Sequence, residues 1–482
     1  MFDVIERGEM KRQMVLASLL AGLVGCSVEM GSGAEQAEAG FGRLGQAIAV
    51  VSHGHGADPD PESPAVIEIP MRSFSSNPSV AGTATSVTDV GSPSYGALAI
   101  FMEKAAAYTR GSVRFTIDNW APTAPSSVIQ QVGIEGDGRD AAYDTGGALD
   151  PSWGLFYLSM APFHLGYEQT LDWLYDAGGL ELAQSLLDAR GANVQIIPVL
   201  SSNPQVAGYF RAPIGGAACD GEPDCEAVGL EGLCSAGWSL RFLPPGQDII
   251  DRACDSLVAD GRIGEKNLGF VSAVPGLSNL AAIQSGVITG FEQASPLDDL
   301  ALFFPEPGPA PVAQAQQNPG HKGLRYVHFP SWHQPFFLGF VLLEQSTLWN
   351  GLTRAQQRAL ERAGRDALRE SFATSGSAQC DSLREILAFN DDQLQLDAAG
   401  TPIIDTSSGQ PISADLHLAS YGRAALRDLS RATESYLESL RGGEEPTPEQ
   451  LEFRRVHDSV LDYERRIRFR WQPPRFPDQC RD

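Results

Sequence analysis

The chain has 482 residues, 43% of them hydrophobic and 20% charged, a balance that excludes wholesale disorder and allows two or three packed domains. With 35 Lys and Arg against 60 Asp and Glu, its formal net charge is −25, which excludes nucleic acid as a partner because binding a polyanion needs many cationic contacts. An acidic chain that takes an anion must do so at a local cationic site, so single arginines are informative.

The N-terminus reads as an export signal. Met10-Lys11-Arg12-Gln13 precedes an apolar run from Met14 to Val24, then Gly25 and Cys26. That run is shorter than the roughly 20 apolar residues needed to span a bilayer. Residues 1–9 are acidic and fit no signal, which points to Met10 as the start. Leu23-Val24-Gly25-Cys26 resembles the bacterial lipobox, in which the cysteine is diacylated and becomes the first mature residue. The expectation is a lipoprotein signal peptide over 1–25, lipidation at Cys26 and a periplasmic protein. Ser27 after the cysteine leaves the anchor in either membrane of a Gram-negative cell. A plain signal peptide with a chance cysteine is the alternative.

From Ser27 to Ser63 the composition is Gly, Ala, Glu and Asp with little apolar periodicity, so residues 26–64 read as a flexible tether. His53 and His55 with Asp58 and Asp60 have metal-ligand chemistry, but in such a stretch they read as solvated linker. The folded body begins near Ala65–Ile69, a short alternating strand. Helical spacing follows over Ala97–Tyr108, a strand over Ser112–Ile117, a helix over Ser126–Ile134 and a long amphipathic helix over Leu171–Ala189. Asp137, Asp140 and Asp144 lie in a glycine-rich stretch whose spacing is not that of a calcium loop. Val194–Leu200 reads as a strand buried on both faces. Further on come a helix over Leu277–Gly286, a strand over Tyr326–Phe329 and a charged helix over Thr353–Thr374. Asp415–Arg441 and Thr447–Phe469 are helical, broken at Gly442–Pro446, with Thr447 as a cap. The alternation predicts an α/β fold with parallel or mixed sheets covered by helices and an all-α C-terminus.

Setting Cys26 aside leaves Cys219, Cys225, Cys234, Cys254, Cys380 and Cys480, an even remainder that suits disulfides in an oxidising compartment. Local pairing among the first four, with Cys380 joined to Cys480, is the preferred one of the many connectivities six cysteines allow. The stretch 215–237 reads as a surface insertion clipped by such bonds. There is no C-x-x-C, G-x-S-x-G, H-E-x-x-H or P-loop, so the expectation is a protein that is not an enzyme.

Five collinear stretches resemble the solute-binding proteins of TRAP (tripartite ATP-independent periplasmic) transporters, in particular the branch that binds α-keto acids. They are PSWGLFYLSMAPFHLGYEQTLDWLYDAGGLEL from Pro151, PQVAGYFR from Pro204, GWSLRFLPPG from Gly237, AIQSGVITGFEQASPLDDL from Ala282 and YVHFPSWHQP from Tyr326. The resemblance covers about residues 66–470. It implies a two-lobed fold of the type II periplasmic-binding-protein kind, with mixed sheets, a hinge cleft and C-terminal helices. It places lobe I at 65–192 with 292–326 returning to it, lobe II at 193–291 with 327–375, and a helical region at 376–482.

The resemblance also implies the site. Arg241, in Arg241-Phe242-Leu243-Pro244-Pro245-Gly246, stands where the family arginine pairs with the ligand carboxylate, a task that suits a guanidinium fork. Gln205 and Glu292 stand where the keto-acid branch has residues facing ligand and sodium, so they are the candidates for a cation. Trp332-His333-Gln334-Pro335 resembles the family's W-H-E-P, with Gln334 in place of a glutamate, and Gln293 replaces the tryptophan that follows the family glutamate. One carboxylate fewer weakens any cation site, so no cofactor is required and sodium or another cation is an accessory. Tyr143, Trp153, Tyr209 and Phe210 are candidate aromatic walls, though each suits ordinary packing equally. His328 lies near His333, which reads as structural or cleft-lining.

The expected function is a solute receptor that closes around a small carboxylate and hands it to small and large TRAP membrane subunits, held to the membrane by its lipid. The alternative is a lipoprotein that kept the fold but left transport, and binds a less polar ligand or acts as an envelope sensor. C-terminal helical periodicity fits packing on the same chain as well as dimerisation, so the oligomeric state stays open.

Overall fold

In the computed structural model the described residues are 66–73, 93–118, 141–145, 162–202, 205–214, 229–242, 244–271, 287–292, 295–296, 299–300, 324–333, 336–389, 394–395, 401–404, 406 and 409–471. All belong to one unit, His55–Asp482. The signal peptide, Cys26, most of the tether, the helices expected at 126–134 and 277–286, and Cys219, Cys225 and Cys480 lie outside them. In chain order the elements are β1 (Ile67–Ser73), α1 (Pro93–Tyr108), β2 (Val113–Asp118), β3 (Ala141–Thr145), α2 (Tyr167–Asp176), α3 (Gly179–Ala189), β4 (Val194–Ser202), β5 (Gly208–Phe210), α4 (Gly229–Ser235), β6 (Ser239–Arg241) and α5 (Pro244–Ala259). They continue with β7 (Gly269–Phe270), β8 (Gly290–Phe291), β9 (Tyr326–His328), β10 (Phe337–Glu344), α6 (Arg354–Phe389), β11 (His417–Ala419), α7 (Arg423–Arg441) and α8 (Pro448–Ile467).

Two mixed sheets result. The first has the order β2-β1-β3-β10-β4, with β1 parallel to both neighbours and β10 antiparallel to both of its own. Apolar residues alternate across it. Ile69, Met71, Val113, Phe115, Ile197 and Val341 face a core shared with Leu98 and Phe101 of α1 and Leu360 and Ala363 of α6. Ile196, Phe340 and Leu342 face the opposite core, against α2, α3 and the C-terminal helices. Helices on both faces explain why Val194–Leu200 is apolar at nearly every position.

The second sheet has the order β11-β9-β5-β8-β6-β7. Here β6 runs parallel to β8, and β5 antiparallel to β8 and β9. Strands β4 and β10, expected in the second lobe, are hydrogen-bonded to each other in the first sheet. Tyr326–His328, read partly with each lobe, is in the second. Strand β10 was not expected at all, because its apolar run Phe337–Leu343 lacks alternation.

Three helical expectations change. The helix read over Leu171–Ala189 is two helices, since Gly178 takes φ +83 and Gly179 lies where a Cβ would sit 2.7 Å from the Trp173 ring. Asp415–Arg441 begins with strand β11, parallel to β9, before α7 starts. Helix α6 runs on to Phe389, about 54 Å at 1.5 Å per residue. It lays Leu360 and Ala363 on the first sheet and Leu383 and Ile386 in a core with Val206, Tyr209, Phe291 and Val327 of the second. A π-helical turn, Gln345–Trp349, capped by Glu344 links β10 to α6: burial opposes ionisation there, but bonds from Ser346, Leu348, Thr347 and Asn193 hold this carboxyl down at about 2.

The Thr447 cap is present as a capping box with Gln450, with Pro448 at the first turn. Helix α8 is tied to α3 by Arg190–Glu452 at 2.7 Å, and α7 to the residues after α5 by Arg262–Asp428 at 2.9 Å. Cys234 and Cys254 are disulfide-bonded, clipping α4 to α5 as local pairing among the first four cysteines anticipated. Cys380 is also disulfide-bonded. No helix among the described residues is long and apolar enough to cross a membrane.

Candidate functional site

The chain passes between the sheets from β4 to β5 and again from β9 to β10. The two crossings are stitched together: Ala207 N–H donates to the His328 carbonyl at 2.6 Å, and Ser331 N–H to the Gln205 carbonyl at 2.9 Å. Parallel strands β6 and β8 end beside these crossings, with Glu292 N–H donating to the Arg241 carbonyl at 3.0 Å. In open α/β sheets the carboxyl ends of parallel strands, where side chains are freed from sheet pairing, are the usual place for a ligand.

Arg241 is 4% exposed and Glu292 is fully buried. One guanidinium nitrogen of Arg241 donates to the Glu292 main-chain carbonyl, and the same nitrogen lies 3.4 Å from the Glu292 carboxylate. Burial pulls the Arg241 pKa down, against the opposite pull of the Glu292 and Asp299 carboxylates. Tyr209, Phe291 and Arg241 are paired across β5, β8 and β6, so their side chains share one face of the sheet. On that face Tyr209 stacks on Phe291 at 4.8 Å and donates its hydroxyl to Asp299 at 3.1 Å.

Phe210, one residue on, points the other way. Its ring meets His328 edge-on at 5.0 Å and Phe242 at 6.2 Å. Tyr209 and Phe210 therefore do not form one wall: the first shares the arginine's face and the second supports the sheet from behind. The absence of side chains at Gly208 and Gly290 makes room for Phe210, since a Cβ on either would come within 2.6–3.0 Å of its ring.

His333 accompanies Arg241. Its Nδ1 is 2.9 Å from Ser331 Oγ, its ring lies 5.5 Å from Phe242 and 4.9 Å from Trp332, and Gly246 at the start of α5 passes it closely. Burial, with the Arg241 charge adding to it, lowers the His333 pKa to about 3, and burial alone lowers His328 to about 3. Both imidazoles are neutral at pH 7. His328 Nε2 accepts from the Ile214 N–H at 2.9 Å, which puts the proton on Nδ1.

Tyr421, between β11 and α7, completes the cluster. Its ring lies 4.9 Å from His328 and 6.4 Å from Trp332. Burial raises its pKa; the Trp332 indole N–H approaches the phenol oxygen and opposes the rise, while the Glu292 charge adds to it. Trp332 in turn stacks on Phe163 at 5.7 Å, which meets Trp471 at 4.7 Å.

Native interiors leave few buried polar atoms unpaired. Among the described residues, Gln205 Oε1, Arg241 Nε, His328 Nδ1, Trp332 Nε1, His333 Nε2 and the Tyr421 hydroxyl all lack a hydrogen-bond partner of ordinary geometry. The residues that carry them lie at the two crossings, at the end of β6 and just after β11.

Of the residues expected from sequence, the structure brings Gln205, Tyr209, Arg241, Glu292, Trp332 and His333 to the junction of the two sheets. Phe210 sits behind them. Tyr143 lies on β3 in the first sheet, with its side chain outside the described residues, as are Trp153 and Gln334. No group of three His, Cys, Asp or Glu side chains suited to a metal gathers among the described residues. Sequence reading missed Tyr421, Asp299 and Ser331. Tyr421 had no local signal, because strand β11 that delivers it is three residues long and precedes a helical pattern.

No protein-family model matches the chain, and no curated protein matches it by sequence. Solved structures do match in fold. A TRAP periplasmic solute-binding protein of Colwellia psychrerythraea, with bound calcium and pyruvate, superposes with TM-score 0.57 at 14% identity, covering 84% of this chain and 95% of its own. One from Bordetella bronchiseptica, with copurified calcium and picolinate, gives 0.56 at 14% identity over 84% and 93%. One from Pseudoalteromonas atlantica, with sodium and pyruvate, gives 0.56 at 13% over 84% and 95%. At these identities the likeness is one of fold: the chain has the two-lobed α/β fold of the TRAP periplasmic solute-binding proteins.

Proposed function

We propose that the protein is a non-enzymatic periplasmic solute receptor that binds a small carboxylate at the junction of its two sheets and delivers it to TRAP-type membrane subunits. The observation that carries this reading is Arg241, a buried guanidinium at the carboxyl ends of two parallel strands, beside both crossings, with Nε unpaired. A buried cation surrounded by unpaired donors offers a carboxylate parallel charge-assisted bonds that water no longer competes for. Fold neighbours binding pyruvate and picolinate support the choice of ligand.

In this reading Arg241 takes the carboxylate and Trp332, His333 and Tyr209 shape the space around it. Phe210 backs the sheet, and Gln334, Tyr143 and Trp153 are further ligand-contact candidates from the family resemblance. The buried oxygens of Gln205 and Glu292 are hard donors that would hold sodium or another cation beside the carboxylate. A signal peptide over 1–25, a lipid on Cys26 and a tether to residue 64 would keep the receptor at the membrane.

The ion pair with Glu292 supports a second reading, a protein of the same fold that left transport and binds a less polar ligand, because there Arg241 is already neutralised from within. Calorimetry with pyruvate, picolinate and other small carboxylates separates the two. Binding of at least one, abolished by Arg241→Ala, is the expected result. Carboxylates that fail to bind, or that bind Arg241→Ala as well as the parent, would leave the second reading standing.

A further inference from the structure

Tyr421 is the residue of the cluster with the least local reason to be there. The C-terminal segment carries it in by adding β11 to the edge of the second sheet, and Phe329 N–H donates to the Ala419 carbonyl at 3.0 Å, so residues 419–421 run beside 328–332. Its ring is confined by His328, Trp332 and Phe210, the last at 6.4 Å, and it is 7% exposed. The confinement fixes where the hydroxyl sits.

The hydroxyl's surroundings fix what it seeks. The Trp332 N–H points at the phenol oxygen, short of ordinary hydrogen-bond geometry, so the phenolic proton turns elsewhere, and no acceptor among the described residues lies within reach of it. The unpaired atoms nearby are mostly donors. Arg241 Nε and His328 Nδ1 each carry a hydrogen, whereas Gln205 Oε1 is an acceptor. A carboxylate engages the arginine and leaves the other donors unspent. They call for a second acceptor on the same molecule.

We propose that Tyr421 is a specificity-determining residue, donating its phenolic proton to a second acceptor on the ligand, a carbonyl, hydroxyl or ring nitrogen adjacent to the carboxylate. This rests on the carboxylate-receptor reading and deepens it: simple alkanoates and arenecarboxylates are disfavoured, and α-substituted acids are selected. Discrimination comes from the desolvated donor that a ligand without the acceptor would leave unpaired.

The test compares matched pairs by calorimetry on the full chain: pyruvate against propionate, and picolinate against benzoate. In each pair only the second acceptor differs. Tyr421→Phe keeps the ring and removes the donor, so it should weaken pyruvate and picolinate by about tenfold. Propionate and benzoate should bind as weakly to Tyr421→Phe as to the parent, with the thermal midpoint unmoved. Equal losses across a pair, or no loss at all, would overturn the role of Tyr421 while leaving the receptor intact. Failure of the parent protein to bind any of the four would instead sink the receptor reading, and this inference with it.

Discussion

A guanidinium removed from water needs partners for its donors, and Arg241 finds two of them on a single residue, the carbonyl and carboxylate of Glu292. The pair is balanced locally, and losing either member would leave an isolated buried charge, a change that typically costs about 3–5 kcal/mol. The histidines beside it follow the opposite rule, being buried without an anion to stabilise the imidazolium. His328 and His333 titrate at about 3 and His457 at about 4, against 6.5 for the free side chain. Below pH 6.5 the unfolded chain takes up protons that the folded one refuses, so stability must fall as pH is lowered and level off towards pH 3–4. Each histidine contributes a slope of about 1.4 kcal/mol per pH unit at most. Urea midpoints between pH 7 and 5 should show this decline, and His333→Gln should remove about a third of it. A midpoint independent of pH in that window would mean that the imidazoles are hydrated.

Among the elements, α6 depends on one missing side chain. Gly364 faces β4 so closely that a Cβ would lie 2.4 Å from Ile197 Cγ2 and 2.8 Å from the Pro198 carbonyl. Backbone cannot yield as a flexible side chain does, so Gly364→Ala should destabilise the fold by about 1–3 kcal/mol, although alanine is the better helix former. Denaturant unfolding measures it, and a stabilised variant would show that helix and strand part easily. This contact also explains which elements were legible in the sequence. Ala97–Tyr108, Val194–Leu200 and Thr447 announce themselves through periodicity or capping chemistry, which are local. Strands of two or three residues, such as β6, β8 and β11, carry no period to detect, yet they position Arg241, Glu292 and Tyr421. Arg241 and Glu292 were found through neighbouring motifs that resemble a family, and Tyr421, outside those motifs, was not found.

For the molecule as a whole, the two sheets share a continuous core, in which Ile196 and Leu342 of the first meet the same cluster as Leu240 and Phe242 of the second and Leu429 and Val456 of the C-terminal helices. The site lies where that core meets the crossings, and it is embedded in a body of net charge −25. An anionic ligand approaching from bulk solvent feels the total charge first and the Arg241 field only at short range. The two ranges respond differently to salt. Between about 10 mM and 150 mM ionic strength the Debye length falls from about 30 Å to about 8 Å, which screens the repulsion of the body but scarcely touches a desolvated contact. Association of pyruvate should therefore accelerate as salt is added, the reverse of electrostatically steered binding, while dissociation stays constant. Stopped-flow measurements across that range distinguish the cases. An association rate that falls with salt would mean that a positive field at the mouth of the site outweighs the acidity of the body.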